Sequence, residues 1–402
     1  MNILLIHQNF PGQFRYLAPH LAADPKVRLI NIGHARAPGL AGAADLLRYE
    51  LARKPAEAIH RHARPMESAV LYGQAVARVM LALREKGWNP DVVLAHAGWG
   101  EALFVKDIWP QTRLVLLTEF FHHGRGVDLG FDPEFPVDLD EEMRRRSANA
   151  HLLVALDAAD AGVAAMPWQR SLFPAAYQPR IVVNHEGFDV EKLRPDPQAR
   201  LELPGGVVLK HGDKVVTYVA RNLEPARGFH IFMRAAQRIL ERVPDCHIVV
   251  AGGDEVSYGA RPKGAAHWRE KMLRELSPDL SRLHFLGKLP YETYCRLLQV
   301  SAAHVYLTIP FVLSWSLLEC MAHGCLVVAS GTPPVREVIE DGHNGLLVDF
   351  FDVEQIASRV EEVLAQPARY AGLRVAARET VVRDFAVADS LRRYREIIGL
   401  PA

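Results

Sequence analysis

Four cysteines are few for a chain of 402 residues, and Cys246, Cys295, Cys320 and Cys325 form neither a Cys-x-x-Cys pair nor a Cys/His spacing that would hold zinc. The expectation is the reduced thiols of a cytoplasmic protein, with Cys320 and Cys325 as small core residues. Net charge is also lacking, since 47 Lys plus Arg stand against 47 Asp plus Glu. A polyanion binder working through bulk electrostatics is thereby excluded, no nucleic acid is expected as partner, and any anion must meet a local cluster. No apolar run approaches the roughly 20 residues that a bilayer span needs. Met1 leads directly into Asn2 to His7 without a basic stretch ahead of a long apolar one, so no cleaved signal is expected either. Three signatures are missing as well: Gly-x-Gly-x-x-Gly after the first strand of either half, Gly-x4-Gly-Lys-Ser/Thr, and Gly-x-Ser-x-Gly. Their absence argues against a dehydrogenase, a P-loop nucleotidase and a serine hydrolase.

What the chain does have is 49% hydrophobic residues, enough for two domains at roughly 100 to 200 residues each. Short β-branched runs alternate with helical patterns, which predicts an α/β fold of doubly wound parallel sheets. Strands are expected near 2–7, 28–32, 91–96, 113–118, 151–155 and 180–183, and the rhythm restarts near 215–220, 246–251, 283–286, 303–308 and 325–329. The loop Arg194-Pro195-Asp196-Pro197 and the turn Leu203-Pro204-Gly205-Gly206 place the boundary at about 195–210. That gives a first domain over 1–200 and a second over 208–385. A final amphipathic helix over about 386–402, with Leu391, Tyr394 and Ile397 or Ile398 on one stripe, is expected to pack back on the first domain.

Ligands of open parallel sheets bind beyond the carboxyl ends of the strands, so residues at those ends are the candidates. Arg221 closes the strand near 215–220, and Arg227 stands beside the start of the next helix, so two guanidinium groups and a helix N-terminus can converge on one diphosphate. A surface arginine paired with Glu224 is the plain alternative. Glu319 follows Ser316 at capping-box spacing, and its carboxylate can either satisfy a backbone N–H or accept both hydroxyls of a ribose. In the first half, His7 runs into a loop containing Gly12, while His96, Glu119, His122 and His123 sit at or just after strand ends. Asp138-Leu139-Asp140 has the spacing that holds a metal against a diphosphate, but it opens a helix where acids are expected as caps. No metal site is assigned.

Residues 219–228, Gly252-Gly253-Asp254, 285–290, 313–324 with Val327 to Ser330, 334–339 and 344–348 together resemble, in order and spacing, the family 4 retaining glycosyltransferases. The resemblance covers about 210–350. Upstream, 183–189 resembles that family's domain-linking segment, and 7–12 resembles its glycine-containing first loop. It implies a GT-B fold of two Rossmann-like domains facing a central cleft. It also implies a nucleotide-sugar donor, no cofactor, and a glycan, lipid-linked or small-molecule acceptor. Carried over, Arg221 and Arg227 neutralise the donor diphosphate, and the backbone of Ser314, Trp315 and Ser316 approaches it, with Gly12 facing it from the other domain. Gly253 borders the donor, Lys288 and Leu289 border the base, and Glu319 binds the ribose. Two departures stand out. Phe311 occupies the position of the family's first Glu, and Phe120 that of its expected His, so Glu119 or His122 is left to contact the sugar. A nucleotide-sugar epimerase or hydrolase, or a non-catalytic nucleotide-sugar-binding partner subunit, are the competing readings of the same scaffold. Arg48, Arg53, Arg61, Arg64 and 144–146 raise the further expectation of peripheral contact with an anionic membrane at its inner face, against solvated helix faces.

Overall fold

A computed structural model describes residues 1–401. The chain divides into two compact units, Met1–Gly187 together with the stretch from Val387 on, and Phe188–Ala386. The first unit carries β1 (Asn2–Ile6), β2 (Arg28–His34), β3 (Leu46–Tyr49), β4 (Val92–His96), β5 (Arg113–Leu117), β6 (Ala161–Ala164) and β7 (Ile181–Val183), in the order β3-β2-β1-β4-β5-β6-β7. All of its pairings are parallel. The order reverses between β1 and β4, the switch point of a doubly wound sheet. Along β1 the side chains alternate: Leu4 and Ile6 enter one apolar layer, Ile3 and Leu5 the other.

A short antiparallel pair, β8 (Arg200–Glu202) and β9 (Val208–Lys210), belongs to the second unit. The main sheet there holds β10 (Val215–Asn222), β11 (His247–Gly253), β12 (Leu283–Phe285), β13 (Ala303–Tyr306), β14 (Val327–Ser330) and β15 (Leu346–Val348), ordered β12-β11-β10-β13-β14-β15 and again parallel. Its switch point lies between β10 and β13. Both sheets are covered by helices on their faces, which is why their strands read as continuous β-branched runs.

The helix Val387–Ile397 packs on the first unit, where Tyr394 and, just past it, Ile398 and Leu400 join the layer of Ile3 and Leu5. An ion pair between Arg395 and Asp24 at 2.9 Å fixes its far end. The division between the units falls at Gly187/Phe188, so residues 188–200 group with the second unit rather than the first. Their carbonyls explain it: Arg378 donates to Leu193 O at 2.6 Å and to Val190 O at 3.0 Å. The strand expected over 151–155 is instead part of the helix Ala150–Ala158, whose buried His151, Leu152, Ala155 and Leu156 recur at helical spacing. The neighbouring strand is the short, small-residue β6. All four cysteines are free, and Cys246, Cys320 and Cys325 are buried. Among the described residues no helix is long and apolar enough to cross a membrane.

Candidate active site

In the second unit the predicted residues gather at the carboxyl ends of four adjacent strands. Arg221 closes β10, Gly253 closes β11, Lys288 and Leu289 follow β12, and 314–316 follow β13. The pairing of β10 with β11 loses register between Val219 and Asn222, and such an irregularity re-aims side chains at a strand end. It leaves Arg221 exposed while Asn222 is buried. Past it, the turn Pro225–Arg227 is pinned from below by Tyr218, whose buried hydroxyl donates to Arg227 O at 2.6 Å. Gly228 then opens the helix Phe229–Arg242 at φ +68°, where a Cβ would lie 2.4 Å from Leu307 Cβ, so both backbone and space demand glycine.

Arg227 is buried. Its Nη1 donates to Thr308 Oγ1 at 2.8 Å and to Val312 O at 2.9 Å. Its guanidinium lies 5.4 Å from the Tyr258 ring centre and 5.6 Å from that of Phe311, and the two rings contact each other at 4.9 Å. Phe311 therefore covers the arginine with an apolar face where the family resemblance places a carboxylate. Glu224 is not the surface partner of Arg221. It is buried and accepts from the N–H groups of Ser257 and Tyr258, each at 3.0 Å, and burial pushes its carboxyl above the usual range. The role of Glu224 is to hold the loop that seats Tyr258 on Arg227.

The helix Trp315–Ala322 starts at Ser314, whose N–H donates to the Tyr306 hydroxyl at 2.8 Å and whose Oγ caps Ser316 N. The cap at Ser314 removes the capping-box reading of Glu319, which sits in the second turn. Its carboxylate, 4% exposed, accepts the Tyr291 and Tyr294 hydroxyls, one on each oxygen, both at 2.8 Å. Those tyrosines come from the helix Tyr291–Gln299, and nothing in their local sequence announced the pairing. Lys288 pairs with Glu255 at 2.8 Å with both side chains more than half exposed. A Cβ on Gly253 would meet Glu255, Asn222 and Lys288 atoms within 2.6 Å, so this strand end is a close crossing. Leu289 packs against the apolar cluster under the β8–β9 pair.

In the first unit the strand ends carry a second polar group. His7 is buried; its Nδ1 accepts from Asn9 N at 3.0 Å and its Nε2 lies 2.6 Å from Gln13 Oε1. Gln13 Nε2 donates to Glu119 Oε1 at 3.1 Å, and His96 Nε2 lies 3.4 Å from Glu119 Oε2. Burial, aided by His96, pushes His7 down to about 3. Gly12 has φ +47°, and a Cβ there would lie 2.2 Å from the His7 ring. Phe120 is buried against His122 and Trp168. The His122 backbone exchanges hydrogen bonds with the Asn149 amide, and burial beside Arg145 pushes its ring down to about 3. Asp138 caps its helix by accepting from Glu141 N at 2.8 Å, and Asp140 pairs with Arg61 at 2.9 Å. The arginines of the membrane expectation are mostly engaged: Arg53 with Glu67, Arg61 with Asp140 and Glu141, Arg144 with Glu141, and Arg48 with backbone carbonyls.

Two Rossmann-like parallel-sheet units are the architecture of the GT-B fold, and the comparisons agree. Residues 26–193 match the glycosyl transferase family 4 group and residues 202–380 match the glycosyl transferases group 1. The chain belongs to this family of GT-B glycosyltransferases. It is 28% identical over 241 residues to a GDP-mannose-dependent alpha-(1-6)-phosphatidylinositol monomannoside mannosyltransferase of Mycolicibacterium smegmatis, a match covering 58% of this chain and 60% of that protein. To a D-inositol 3-phosphate glycosyltransferase of Rhodococcus jostii it is 29% identical over 199 residues, 48% of this chain and 42% of the relative. The matches thus span about half the length of these curated relatives. Among solved structures, Anabaena HepE in complex with UDP-glucose superposes with a TM-score of 0.68 at 17% identity, over 99% of each chain. Sucrose-phosphate synthase from Thermosynechococcus elongatus gives 0.73 at 17% identity, also over 99% of each. These likenesses establish the fold.

Proposed function

We propose that the protein transfers a sugar from a nucleoside-diphosphate-sugar to an acceptor hydroxyl, with retention of anomeric configuration and without a metal ion. The observation that carries this reading is the gathering of Arg221, Arg227, the N-terminus of the helix Trp315–Ala322 and the buried carboxylate of Glu319 at neighbouring strand ends of one sheet. As the anomeric C–O bond breaks, negative charge grows on the leaving diphosphate. Arg221 and Arg227 face that charge, and each preorganised donor of this kind is worth about 3 to 4 kcal/mol of barrier. The positive end of the helix Trp315–Ala322 adds to it. Glu319 takes the ribose hydroxyls, and Lys288 and Leu289 border the base. With two guanidinium groups and a helix N-terminus present, no cation is needed to neutralise the diphosphate, and Asp138 and Asp140 are committed to a helix cap and an ion pair.

Phe188–Ala386 is on this reading the donor unit, and the first unit the acceptor side, with Glu119 as its candidate for a sugar hydroxyl. His122 is half-buried and bonded through its backbone, which favours Glu119 over it. The acceptor is a glycan, a lipid-linked saccharide or a small polyol, a range that the curated relatives' phosphatidylinositol mannoside and inositol phosphate fall within. The setting is the cytoplasm, with the inner membrane face as the place to meet a lipid-linked acceptor. A thermal-shift screen with nucleoside diphosphates and nucleotide-sugars tests the donor site, because a ligand that binds only the folded state raises the melting temperature by mass action. Acceptor-dependent release of the nucleoside diphosphate then tests transfer. Release without acceptor identifies a hydrolase, and binding without turnover identifies the partner subunit suggested by Phe311 and Phe120.

A further inference from the structure

We propose that the second unit carries a further small-molecule site, apart from the donor residues, that takes an anion with an apolar body. The site is a pocket of about 710 Å³ between the end of the helix Trp315–Ala322, the stretch around Pro195 and one face of the helix Ala371–Asp384. Ligand pockets typically measure ~300 to 1,000 Å³, so a compact small molecule fits. The inference stands without the transferase reading, because none of Arg221, Arg227, Lys288 and Glu319 lines this pocket.

The charge comes from Arg374 and Arg378, one turn apart on the helix Ala371–Asp384. Arg378 donates to Leu193 O and Ala322 O, both at 2.6 Å, and to Val190 O at 3.0 Å. Arg374 donates to Ala302 O and, at 3.4 Å, to Gly324 O. All of these acceptors are neutral carbonyls. Burial holds Arg374 below the ordinary arginine range, and the ionisable group that partly offsets this is the Cys325 thiol. A half-buried guanidinium seated on carbonyls has already given up part of its water, so an incoming anion gains more from it than from a solvated one. Guanidinium carries five N–H groups in a rigid fork. Arg374's two carbonyl bonds therefore leave it donors for a phosphate or a carboxylate. Elsewhere in the lining Arg383 is spent on Asp384, and the acid is the exposed Glu379, so the balance around the pocket is positive.

The apolar part comes from Pro195, Leu298 and Pro367, and from Val375 and Val382 of the arginines' own helix. These valines stand two turns apart on one face and are 58% and 41% exposed. An apolar body laid on them is removed from water together with them, which is favourable on both sides. A bare inorganic anion would use the arginines and leave the valines wet; a neutral apolar molecule would do the reverse. Both features lie in one pocket, and that selects a ligand carrying both.

The test is calorimetric titration of the full chain, without nucleotide, with octyl phosphate below its micellar concentration. Octanoate, inorganic phosphate and octanol are the comparison probes. Octyl phosphate or octanoate should bind saturably, one to one, and the tighter of the two identifies the head group. Inorganic phosphate and octanol should each bind at least about 10-fold more weakly, as expected when a hydrogen bond to a charged group or the apolar contact is lost. Val375→Glu places a carboxylate at the exposed wall and should weaken binding by at least about 10-fold with an unchanged melting temperature. Val375→Lys, equally hydrophilic but of opposite charge, should weaken it far less. Arg374→Gln, if it folds, should repeat the loss. No saturable binding of either amphiphile, octanol binding as tightly as octyl phosphate, or wild-type affinity in Val375→Glu would overturn the proposal.

Discussion

Glu319→Gln separates binding from folding at one buried carboxylate. In the folded protein the two oxygens of Glu319 accept Tyr291 and Tyr294 hydroxyls at 2.8 Å. Glutamine keeps one oxygen acceptor, and its amide can donate to the other tyrosine oxygen, so both contacts survive as neutral hydrogen bonds. Each loses about 1 kcal/mol, the difference between charged and neutral bonds. Removing a carboxylate that is 4% exposed relieves a desolvation cost of comparable sign and size, so the melting temperature should move little. Ribose binding has no such compensation. Losing a charged acceptor for its hydroxyls should cost about 1.5 to 3 kcal/mol, which is roughly 10- to 150-fold in the dissociation constant. Calorimetric titration with the nucleoside diphosphate that stabilises the wild type, run beside thermal melts, reads both quantities. The tyrosines sharpen the test. Tyr291 is 44% exposed and occupies an oxygen that a ribose can take, so Tyr291→Phe should leave affinity equal or tighter. Tyr294→Phe frees the buried side of the carboxylate and should weaken both stability and affinity. Wild-type affinity in Glu319→Gln, or a loss in Tyr291→Phe as large as in Glu319→Gln, would refute the ribose role.

Three further expectations follow from the same geometry. Arg221→Ala should cut transfer by at least about 10²-fold with an unchanged melting curve, since the side chain is exposed, whereas Arg227→Lys should lower both, having lost the bonds to Thr308 and Val312; full activity in Arg221→Ala would sink the diphosphate assignment. Transfer should survive EDTA, and Asp138→Asn should change stability by no more than a few tenths of a kcal/mol because asparagine caps as well as aspartate; loss of activity on chelation, restored by Mg²⁺ or Mn²⁺, would overturn metal independence. Stability should fall on acidification, because His7 and His122 are pushed down to about 3 and His185 and His304 to about 4, all by burial. Between those values and the ordinary 6.5 the unfolded chain binds more protons than the folded one, so stability declines as pH drops below about 6.5, and a urea midpoint that stays flat from pH 7 to pH 5 would contradict it.

In both units the strands buried on both faces were legible in sequence: β1, β2, β4, β5 and β7 of the first, and β10, β11, β12 and β13 of the second, all fall within a few residues of their expected places. Short strands made of small or mixed residues, β6 and β3, left no such trace, and the apolar run at 151–155 drew the strand assignment that β6 should have had. Length alone settles that case, since nine residues with burial at 151, 152, 155 and 156 make a helix. At the site, residues fixed by backbone position were visible: Arg221 at a strand end, Arg227 at a helix start, Ser314 before a helix. Partners contributed by distant elements were not. Tyr291 and Tyr294 reach Glu319 from 28 and 25 residues away, and Glu119 meets Gln13 across 106. Such pairs are set by which strands are neighbours, and strand order is what a single sequence states least directly.

Phe311 shows how a departure from the family pattern at one position can leave its neighbour's chemistry intact. A carboxylate beside Arg227 would hydrogen-bond the guanidinium and partly cancel its charge. Here the arginine's hydrogen-bond acceptors are Thr308 Oγ1 and Val312 O, both neutral, and the Tyr258 and Phe311 rings lie against it. Glu224, a carboxylate that feels this charge, spends its oxygens on the N–H groups of Ser257 and Tyr258. The positive charge therefore lies in partly apolar surroundings, where an electrostatic contact with a diphosphate is stronger than in water. On the proposed donor site, Phe311 would withhold a polar contact from the sugar while leaving Arg227 to face the leaving phosphate. The proposed site therefore predicts that Phe311→Glu alters the choice of donor sugar and lowers the rate together, since the new carboxylate would compete with the diphosphate for Arg227.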